Sequence, residues 1–500
     1  MTIVDDGYQK RRKGLIMICE RLDFLAAAAG GQLVHGRPDM LVKGLFTDTR
    51  LPVRGALFVA LRGERFDGNT YARTAVKTHG AAAVLVDDPE ALHGLPDDTG
   101  AILVSDSRAG YLGIAAAHRR KLARVRWFGV TGSVGKSTTK EMLSHILASC
   151  TKWDSHKAKG SFNNAVGLSH TILGVSAAHD AAVLELGSNH PGEIRQLAAV
   201  ARPTIALITC AAASHLEAFG TVDNVALEKG EILLFQGPDD TAVLNADSPY
   251  LNLWRAMARG NVITFGAGND ANVRAKGVRV NGDATVDFLV RYGDAIADCN
   301  LCVPGTHLVA NALAAIAAAA AAGIPLGKAA HALSTFQGVA RRLNVASIHG
   351  VTLIDDTYNA NPPSFAAALE TLKALAVERK FVVAGDMLEL GPQAEELHRE
   401  LGRDLADCSL CGLITVGELA SIAGSSAVGH GLPNALWTHC ATPEAAAHAL
   451  RQWLSPGDAV LVKGSHGIHL ERCCELLMKT STRSLSLAEY GPAVMAADYR

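Results

Sequence analysis

The sequence lacks any strong charge bias: 47 Lys and Arg stand against 49 Asp and Glu, a formal net charge of −2. That balance argues against a dedicated nucleic-acid surface, which needs a concentrated basic excess. A long apolar run is also missing. The longest, "ALAAIAAAAAAGI" from Ala312 to Ile324, is bounded by Asn311 and Pro325; it falls short of the ~20 residues of a membrane span and reads as a buried helix. Aromatic residues are scarce, 5% of the chain, whereas glycine occurs 48 times, a balance that fits an α/β enzyme with close helix-to-sheet contacts. The N-terminus carries a basic cluster before a short apolar stretch, but Cys19, Glu20, Arg21 and Asp23 interrupt it and no small-residue cleavage site follows, so it does not read as a signal peptide. The expectation is a cytoplasmic chain whose 10 cysteines stay reduced. Cys299/Cys302 and Cys408/Cys411 have the spacing of zinc ligands, yet the first pair lies in a short apolar stretch that reads as a strand, where residues three apart face opposite sides; zinc is disfavoured.

Five hundred residues suggest about three domains. From residue 17 to 105, strand-like "ALFVAL" and "AAAVLVD" flank a helical "NTYARTAVKTHG" that closes on Gly80. From 106 to 338, strands "AAVLELG", "TIALITC" and "TAVLNAD" alternate with helices, which implies a mostly parallel sheet covered on both faces. From 339 to 479 the scheme repeats with "VTLIDD", "KFVVAGD", "CGLITVG" and "DAVLVKG". The expected class is therefore α/β with three domains: a small α/β domain, a central phosphate-loop domain with a parallel sheet, and a Rossmann-like third domain. Residues 1–16 and 480–500 read as an extension and a tail.

Several strands end in polar or Gly-rich corners, where open parallel sheets bind ligands. "FGVTGSVGKSTTKEML" has the strand, loop, helix context of a phosphate site. It lacks one glycine of the common GxxxxGK[ST] form, since Val130 stands there, and keeps a shorter GxxGKS from Gly132 to Ser137. Backbone N–H groups of residues 132 to 138 would face an anion at the helix N-terminus. Lys136 would then pair with phosphate oxygens and Ser137 or Thr138 would bind Mg²⁺; a Gly-rich turn before a helix capped by Ser137 is the plain alternative. Glu185, at a strand end, suits a hard cation or a solvated surface equally. His215 reads as a ligand or a loop histidine, and Lys229 as a functional group or a solvated helix face. Asp355 and Asp356 precede an Asn/Pro-rich turn, where they suit a hydroxyl, an ammonium or a metal, or merely the turn itself.

Taken in order, "TDTR" with "GALFVALRGERFDG", then "TGSVGKSTTKEM", "SFNNAVG", "ELGSNHPGEI", "SHLEAFG", "EKGEI", "LNADSP", "PGTHLVANALAA", "ARRL", "IDDTYNANPPS", "GDMLELG" and "LVKGSHG" resemble the Mur ligases, the ATP-dependent amide ligases of peptidoglycan precursor synthesis. "DDTYNANP" followed by "GDMLELG" is similar to the branch that adds D-alanyl-D-alanine to a UDP-N-acetylmuramoyl-tripeptide; the DNPR motif of the diamino-acid-adding branch is absent. The resemblance implies an acyl-phosphate route, ATP, and two Mg²⁺ ions. It places Gly132, Ser133, Gly135, Lys136, Ser137, Thr138, His307, Asn311 and Asp356 at the nucleotide. Ser137 and Glu185 would hold one Mg²⁺, and His215 with a carbamylated Lys229 the second; Lys136, Lys229, His215 and Arg342 form the implied catalytic set. Thr47, Asp48, Arg50 and the Gly63 to Gly68 turn match the segment that receives the UDP-sugar, and Asn163, Asn164, Asn359 and Asn361 are the other implied substrate contacts. A hinge near Gly338 would let the third domain close, with Arg342 reaching the γ-phosphate and Asp356 the ribose.

Leu308, Arg341 and His466 depart from the family pattern, in which an asparagine, a glycine and an arginine are usual. Residues 1–16 fall outside it, and Met17 is a candidate start. The expected partners are the two substrates, with no nucleic acid, no membrane span and a monomeric state. Two other readings are a Mur-type ligase with a different amine or peptide acceptor and, from another class, a phosphate-loop ATPase that drives a partner; the N-terminal sugar-nucleotide motifs speak against the latter.

Overall fold

The computed structural model describes residues 16–63 and 66–479. The extension up to residue 15, residues 64 and 65 of the Gly63 to Gly68 turn, and the tail 480–500 lie outside the described residues. Three sheets carry the expected α/β architecture. In the first, Leu41–Phe46, Leu57–Val59, Ala83–Val86 and Gly100–Leu103 run parallel. Ile16–Arg21 and Gln32–His35 close its two edges antiparallel. Ala83–Val86 is buried along its whole length, the continuous apolar run of a strand covered on both faces.

The central sheet has nine strands, in the order Ala295–Leu301, Val286–Tyr292, Val273–Val280, Asn261–Gly266, Thr241–Asn245, Ile205–Ile208, Arg126–Thr131, Ala181–Glu185, Ser155–Lys157. From Val273–Val280 to Ser155–Lys157 every pairing is parallel. Strict alternation of strand and helix fails here: from Asn261 to Leu301 four strands follow one another with no helix between. Val273–Val280 shows why the pattern escaped reading, since its second half, "GVRV", is exposed at every position. The alanine-rich run forms helix Leu308–Ala321, buried over most of its length and packed on helix Lys136–Cys150; small side chains permit that close approach.

The third sheet runs Asn344–Ile348, Val351–Asp356, Ala459–Lys463, Lys380–Gly385, Gly412–Val416, Trp437–Cys440, parallel except for its antiparallel first pair. Asn344–Ile348 and Trp437–Cys440 are edge strands that the four expected strands did not include. The chain divides into two compact units. One takes the described residues up to Arg279 with Asp287–Leu301 and Leu308–Phe336; the other takes Val280–Val286, Cys302–His307 and the described residues from Gln337 onward. No helix among the described residues is long and apolar enough to cross a membrane.

Helix Val222–Gly230, which carries Lys229, leans on Trp254. That indole is fully buried and its Nε1 donates to the Ala226 carbonyl at 2.9 Å. Trp254→Ala would leave a cavity and an unpaired carbonyl beneath the helix, at a cost of about 3–5 kcal/mol. The expected result is a lowered melting temperature and faster amide exchange over residues 222–230.

Candidate active site

Strand Arg126–Thr131 is paired in register on both sides: Val130 lies opposite Glu185, and Thr131 opposite Ile208. The loop that follows is therefore flanked by the carboxyl ends of two neighbours. Gly132 has φ +142, and a Cβ there would sit 1.9 Å from Thr209 Oγ1; Gly135 has φ +82, and a Cβ there would sit 2.5 Å from Asn311 Oδ1. Both positions need glycine, one for space and both for backbone conformation. Gly135, not Ser137, is the N-cap of helix Lys136–Cys150, so the first N–H groups of the helix remain for an anion. Lys136 Nζ donates to the carbonyls of Gly132 at 2.7 Å and Ser133 at 3.3 Å, curled over its own loop. Ser133 Oγ bonds Ser214 Oγ at 3.0 Å, which joins the loop to the segment leading into His215. Thr138 is buried in the first helical turn.

Ser137, second in the helix, turns inward and donates to Glu185 Oε1 at 3.0 Å. Asn163 Nδ2 reaches the same oxygen at 3.0 Å, and Gly187 N donates to the Asn163 carbonyl at 2.8 Å. Glu185 is fully buried, which rules out the solvated reading. Its second oxygen, Oε2, accepts no hydrogen bond and faces Lys140 Nζ at 3.5 Å. A buried carboxylate oxygen without a donor, beside a serine hydroxyl, is the hard-oxygen donor set that Mg²⁺ takes. Asn164 does something else: its Oδ1 accepts from Gly167 N at 2.9 Å and caps helix Ala165–Leu173.

Lys229 is 1% exposed, not part of a solvated face. Its Nζ donates to Ser188 Oγ at 2.7 Å and lies 5.7 Å from the Phe219 ring. Burial, then the charge of Lys136, pull its pKa from 10.5 down to about 7. The neighbouring Glu228 is turned the other way, accepting from Gly192 N at 2.7 Å and Ile194 N at 2.8 Å; it anchors the loop that carries Ser188. His215 adopts a left-handed φ of 52 as N-cap of helix Leu216–Phe219. Among the described residues no group of three or more His, Cys, Asp or Glu is gathered to hold a metal. A second cation here would need oxygen donors beyond those side chains. Cys299 and Cys408 are buried thiols pushed up to about 12 and about 11 by that burial.

The second unit holds its own cluster. Asp356 and Lys463 are paired across adjacent parallel strands, with Lys463 Nζ 2.5 Å from Asp356 Oδ2 and 2.9 Å from the Asn359 carbonyl. Asp356 Oδ1 accepts from Leu343 N at 3.1 Å. Arg342 lies over the Tyr358 ring, 4.1 Å from its centroid, and His466 stacks on Tyr358 at 6.1 Å. Arg341 takes a left-handed φ of 60 and points toward Glu471 at 3.9 Å. Asn361 completes a capping box with Ser364 at the start of helix Pro362–Ala374, and Asn359 Oδ1 accepts from Ala360 N at 2.9 Å. His307 belongs to this unit and Asn311 to the first. His307 Nδ1 is enclosed with no hydrogen-bond partner; burial and the Lys463 charge bring its pKa down to about 4, so the ring is neutral at pH 7.

In the N-terminal sheet, Asp48 binds its neighbour Arg50 at 2.7 Å; that hydrogen bond holds its carboxyl below the usual range. Arg50 itself is 87% exposed, and Thr47 is half-buried. The residue that organises the adjoining turn was missed by reading motifs. Asp87, at the end of strand Ala83–Val86, accepts from Arg62 Nε at 2.9 Å, Asn69 Nδ2 at 2.8 Å and Ser107 N at 3.1 Å. Lys140, Ser188, Glu228 and Lys463 were missed too; the inward direction of a side chain on a helix, a loop or a strand end leaves no mark in a short motif.

Residues 130–319 match the Mur ligase middle domain, and residues 341–466 the Mur ligase glutamate ligase domain. The chain is 34% identical over 473 residues to the UDP-N-acetylmuramoyl-tripeptide–D-alanyl-D-alanine ligase of Escherichia coli, covering 93% of this chain and 100% of that protein. The Bacillus subtilis protein of the same description is 33% identical over 470 residues, covering 93% and 99%. Among solved structures, MurF from Acinetobacter baumannii superposes with a TM-score of 0.83 at 30% identity, covering 93% of this chain and 99% of that one. MurF ligase from Thermotoga maritima in complex with ADP gives 0.75 at 27% identity, covering 87% and 97%.

Gly135→Ala tests the loop. A methyl at left-handed φ, driven toward Asn311, costs about 1–3 kcal/mol. The expected outcome is ADP affinity at least about tenfold weaker by titration calorimetry, with the melting temperature lowered by a few degrees.

Proposed function

The chain belongs to the Mur ligase family, and on that premise we propose that it joins D-alanyl-D-alanine to UDP-N-acetylmuramoyl-tripeptide at the expense of ATP, in peptidoglycan synthesis. It is an ATP-dependent ligase that forms a carbon–nitrogen bond. One observation carries the reading: a phosphate loop, a buried Glu185 and a buried Lys229 sit around the carboxyl ends of one sheet, in a chain that aligns with such ligases along their whole length. The proposal places the reaction in the cytoplasm and assigns it to a monomer.

Direct amide formation would expel an oxide from the tripeptide carboxylate, a poor leaving group. In the proposed route that carboxylate takes the γ-phosphoryl group, ADP departs, and the dipeptide amine attacks the acyl phosphate; phosphate leaves and the amine gives up a proton. The protein's work is positioning and charge neutralisation. Backbone N–H groups of residues 132 to 138 cradle the phosphates, and Lys136 exchanges its two loop carbonyls for phosphate oxygens. Ser137 and Glu185 would hold one Mg²⁺; His215 and Lys229, the latter as a carbamate, would hold another. Magnesium, when bound, supplies the positive charge that offsets the phosphoryl oxygens during transfer. Asn163 steers Glu185 and lines the tripeptide carboxylate, while Asn164 supports that segment as a helix cap. By family resemblance, the proposal assigns Arg342 to the γ-phosphate, His307 and Asn311 to the adenine, Asp356 to the ribose, and Asn359 and Asn361 to the dipeptide side. Thr47, Asp48 and Arg50 receive the UDP-sugar.

Support for the carbamate comes from the amine itself. A lysine brought down to about 7 is largely neutral above that pH, and only the neutral form attacks carbon dioxide. Its Nζ is held by a hydroxyl, not by a carboxylate, so conversion to an anion breaks no ion pair.

Lys229→Ala is expected to lose at least about a hundredfold in kcat and to recover part of it with millimolar short-chain carboxylic acid, which restores an oxygen donor; full activity without added acid would overturn the carbamate. In the parent enzyme, activity should fall as pH drops below about 7, and added bicarbonate should lessen the fall. The reaction itself is tested by phosphate release with ATP, Mg²⁺ and UDP-N-acetylmuramoyl-tripeptide. Release should rise at least tenfold with D-alanyl-D-alanine and little with glycine; release that ignores the dipeptide would sink the ligase reading.

A further inference from the structure

Lys140 is a fully buried lysine that the proposed mechanism does not use. It lies one helical turn beyond Lys136, on the face of helix Lys136–Cys150 turned into the protein. Its Nζ is surrounded by oxygen: it donates to the Ala158 carbonyl at 3.0 Å and to the Gly160 carbonyl, and it lies 3.1 Å from Glu141 Oε1 and 3.5 Å from Glu185 Oε2. Glu141 is shared with the half-exposed Lys157. Glu185 Oε1 is taken by Ser137 and Asn163. The two carbonyls belong to the segment that leads into Ser161 and Asn163, and Ser161 Oγ lies 3.3 Å from Ser137 Oγ. One ammonium group thus ties the phosphate-loop helix to the segment beside Glu185 and faces the carboxylate oxygen that no hydrogen bond satisfies.

We propose that Lys140 is a positioning residue that serves as a resident counter-ion for Glu185, so that the divalent cation enters the site with the nucleotide and not ahead of it. This rests on the reading of Glu185 as a Mg²⁺ ligand. A buried carboxylate oxygen with neither a cation nor a donor costs free energy in a low-dielectric surround, and Lys140 offsets that penalty at Oε2 in the protein without nucleotide. The same charge repels a bare divalent ion. Lys140 cannot swing aside, because it is enclosed and two carbonyls hold it. A cation that arrives on a triphosphate brings compensating negative charge, and the repulsion is offset. The arrangement keeps Glu185 oriented and poorly receptive to free metal.

The test counts bound Mn²⁺ by electron paramagnetic resonance, with and without ADP, in the full-length protein. Without nucleotide, Lys140→Met should bind Mn²⁺ at least about tenfold more tightly than the parent protein, and Lys140→Gln should do likewise. Glu185→Gln added to either variant should abolish the gain, which locates it at this carboxylate. The glutamine retains an amide donor for the Ala158 and Gly160 carbonyls, so it carries the measurement should the methionine variant fail to fold. Equal Mn²⁺ affinity in the parent and a folded variant, with only the melting temperature lowered, would overturn the proposal and leave Lys140 a purely structural tie. The reading beneath it has its own control: Glu185→Gln in the parent should weaken Mn²⁺ binding in the presence of ADP. No change there would overturn the metal role of Glu185 and the proposal together.

Discussion

The contact between Ser137 and Glu185 depends on strand register more than on either residue. Val130 and Glu185 are paired across parallel strands, so the chain leaving one strand as the phosphate loop and the carboxylate ending the other emerge side by side. A slip of one residue would turn Glu185 to the opposite face of the sheet and remove it from the loop. The register is fixed in turn by buried apolar residues on both faces, Phe128, Val130 and Val183 on one and Trp127 and Leu184 on the other. Gly132 and Gly135 then let the backbone turn within that narrow space. Packing of a kind found in any parallel sheet thus delivers the two oxygen atoms on which the proposed chemistry relies.

Among the described residues three lysines are buried, two in the first unit and one in the second, and they differ in how their charge is met. Lys140 has two carbonyls and two carboxylates within 3.5 Å. Lys463 has one carboxylate and one carbonyl. Lys229 has one hydroxyl and no carboxylate in contact. Burial without a counter-charge disfavours the ammonium form, which is why Lys229 titrates near neutrality. Electrostatic surroundings therefore divide one residue type into a group ringed by oxygen, a buried ion pair and an amine without a carboxylate partner, which the proposed route uses as a nucleophile.

Much of this was legible in the sequence where a motif coincides with a strand end. Lys136, Ser137, Glu185 and Asp356 stand at corners that the alternation of apolar runs already marks. Asn164 and Asn361 stood as implied substrate contacts, and their side-chain oxygens cap helices. The strands between Val273 and Leu301 were not legible as a set, because their exposed positions break the apolar pattern that marks a buried parallel strand. Lys140, Lys463, Glu228 and Asp87 were missed for a different reason. Each acts on residues far away in the chain, 45 positions in the case of Lys140 and Glu185 (185 − 140) and 107 in the case of Lys463 and Asp356. Only the sheet order that brings the two segments together reveals them.

Asp356 shows how an internal role and a ligand role coexist in one side chain. Its two oxygens already accept from Lys463 and from the Leu343 amide, so at first sight it has nothing to offer a ribose. An ionised carboxylate has about four acceptor sites, however, and two are filled. The ammonium and the amide fix the plane and direction of the remaining lone pairs; burial raises the carboxyl above its ordinary range, and the Lys463 charge works against that rise. A hydroxyl arriving there would find an acceptor already oriented, with its ordering entropy spent in folding and not in binding. In the proposed site, the ion pair suits Asp356 to the nucleotide by orienting its oxygens and by opposing the burial that raises its pKa.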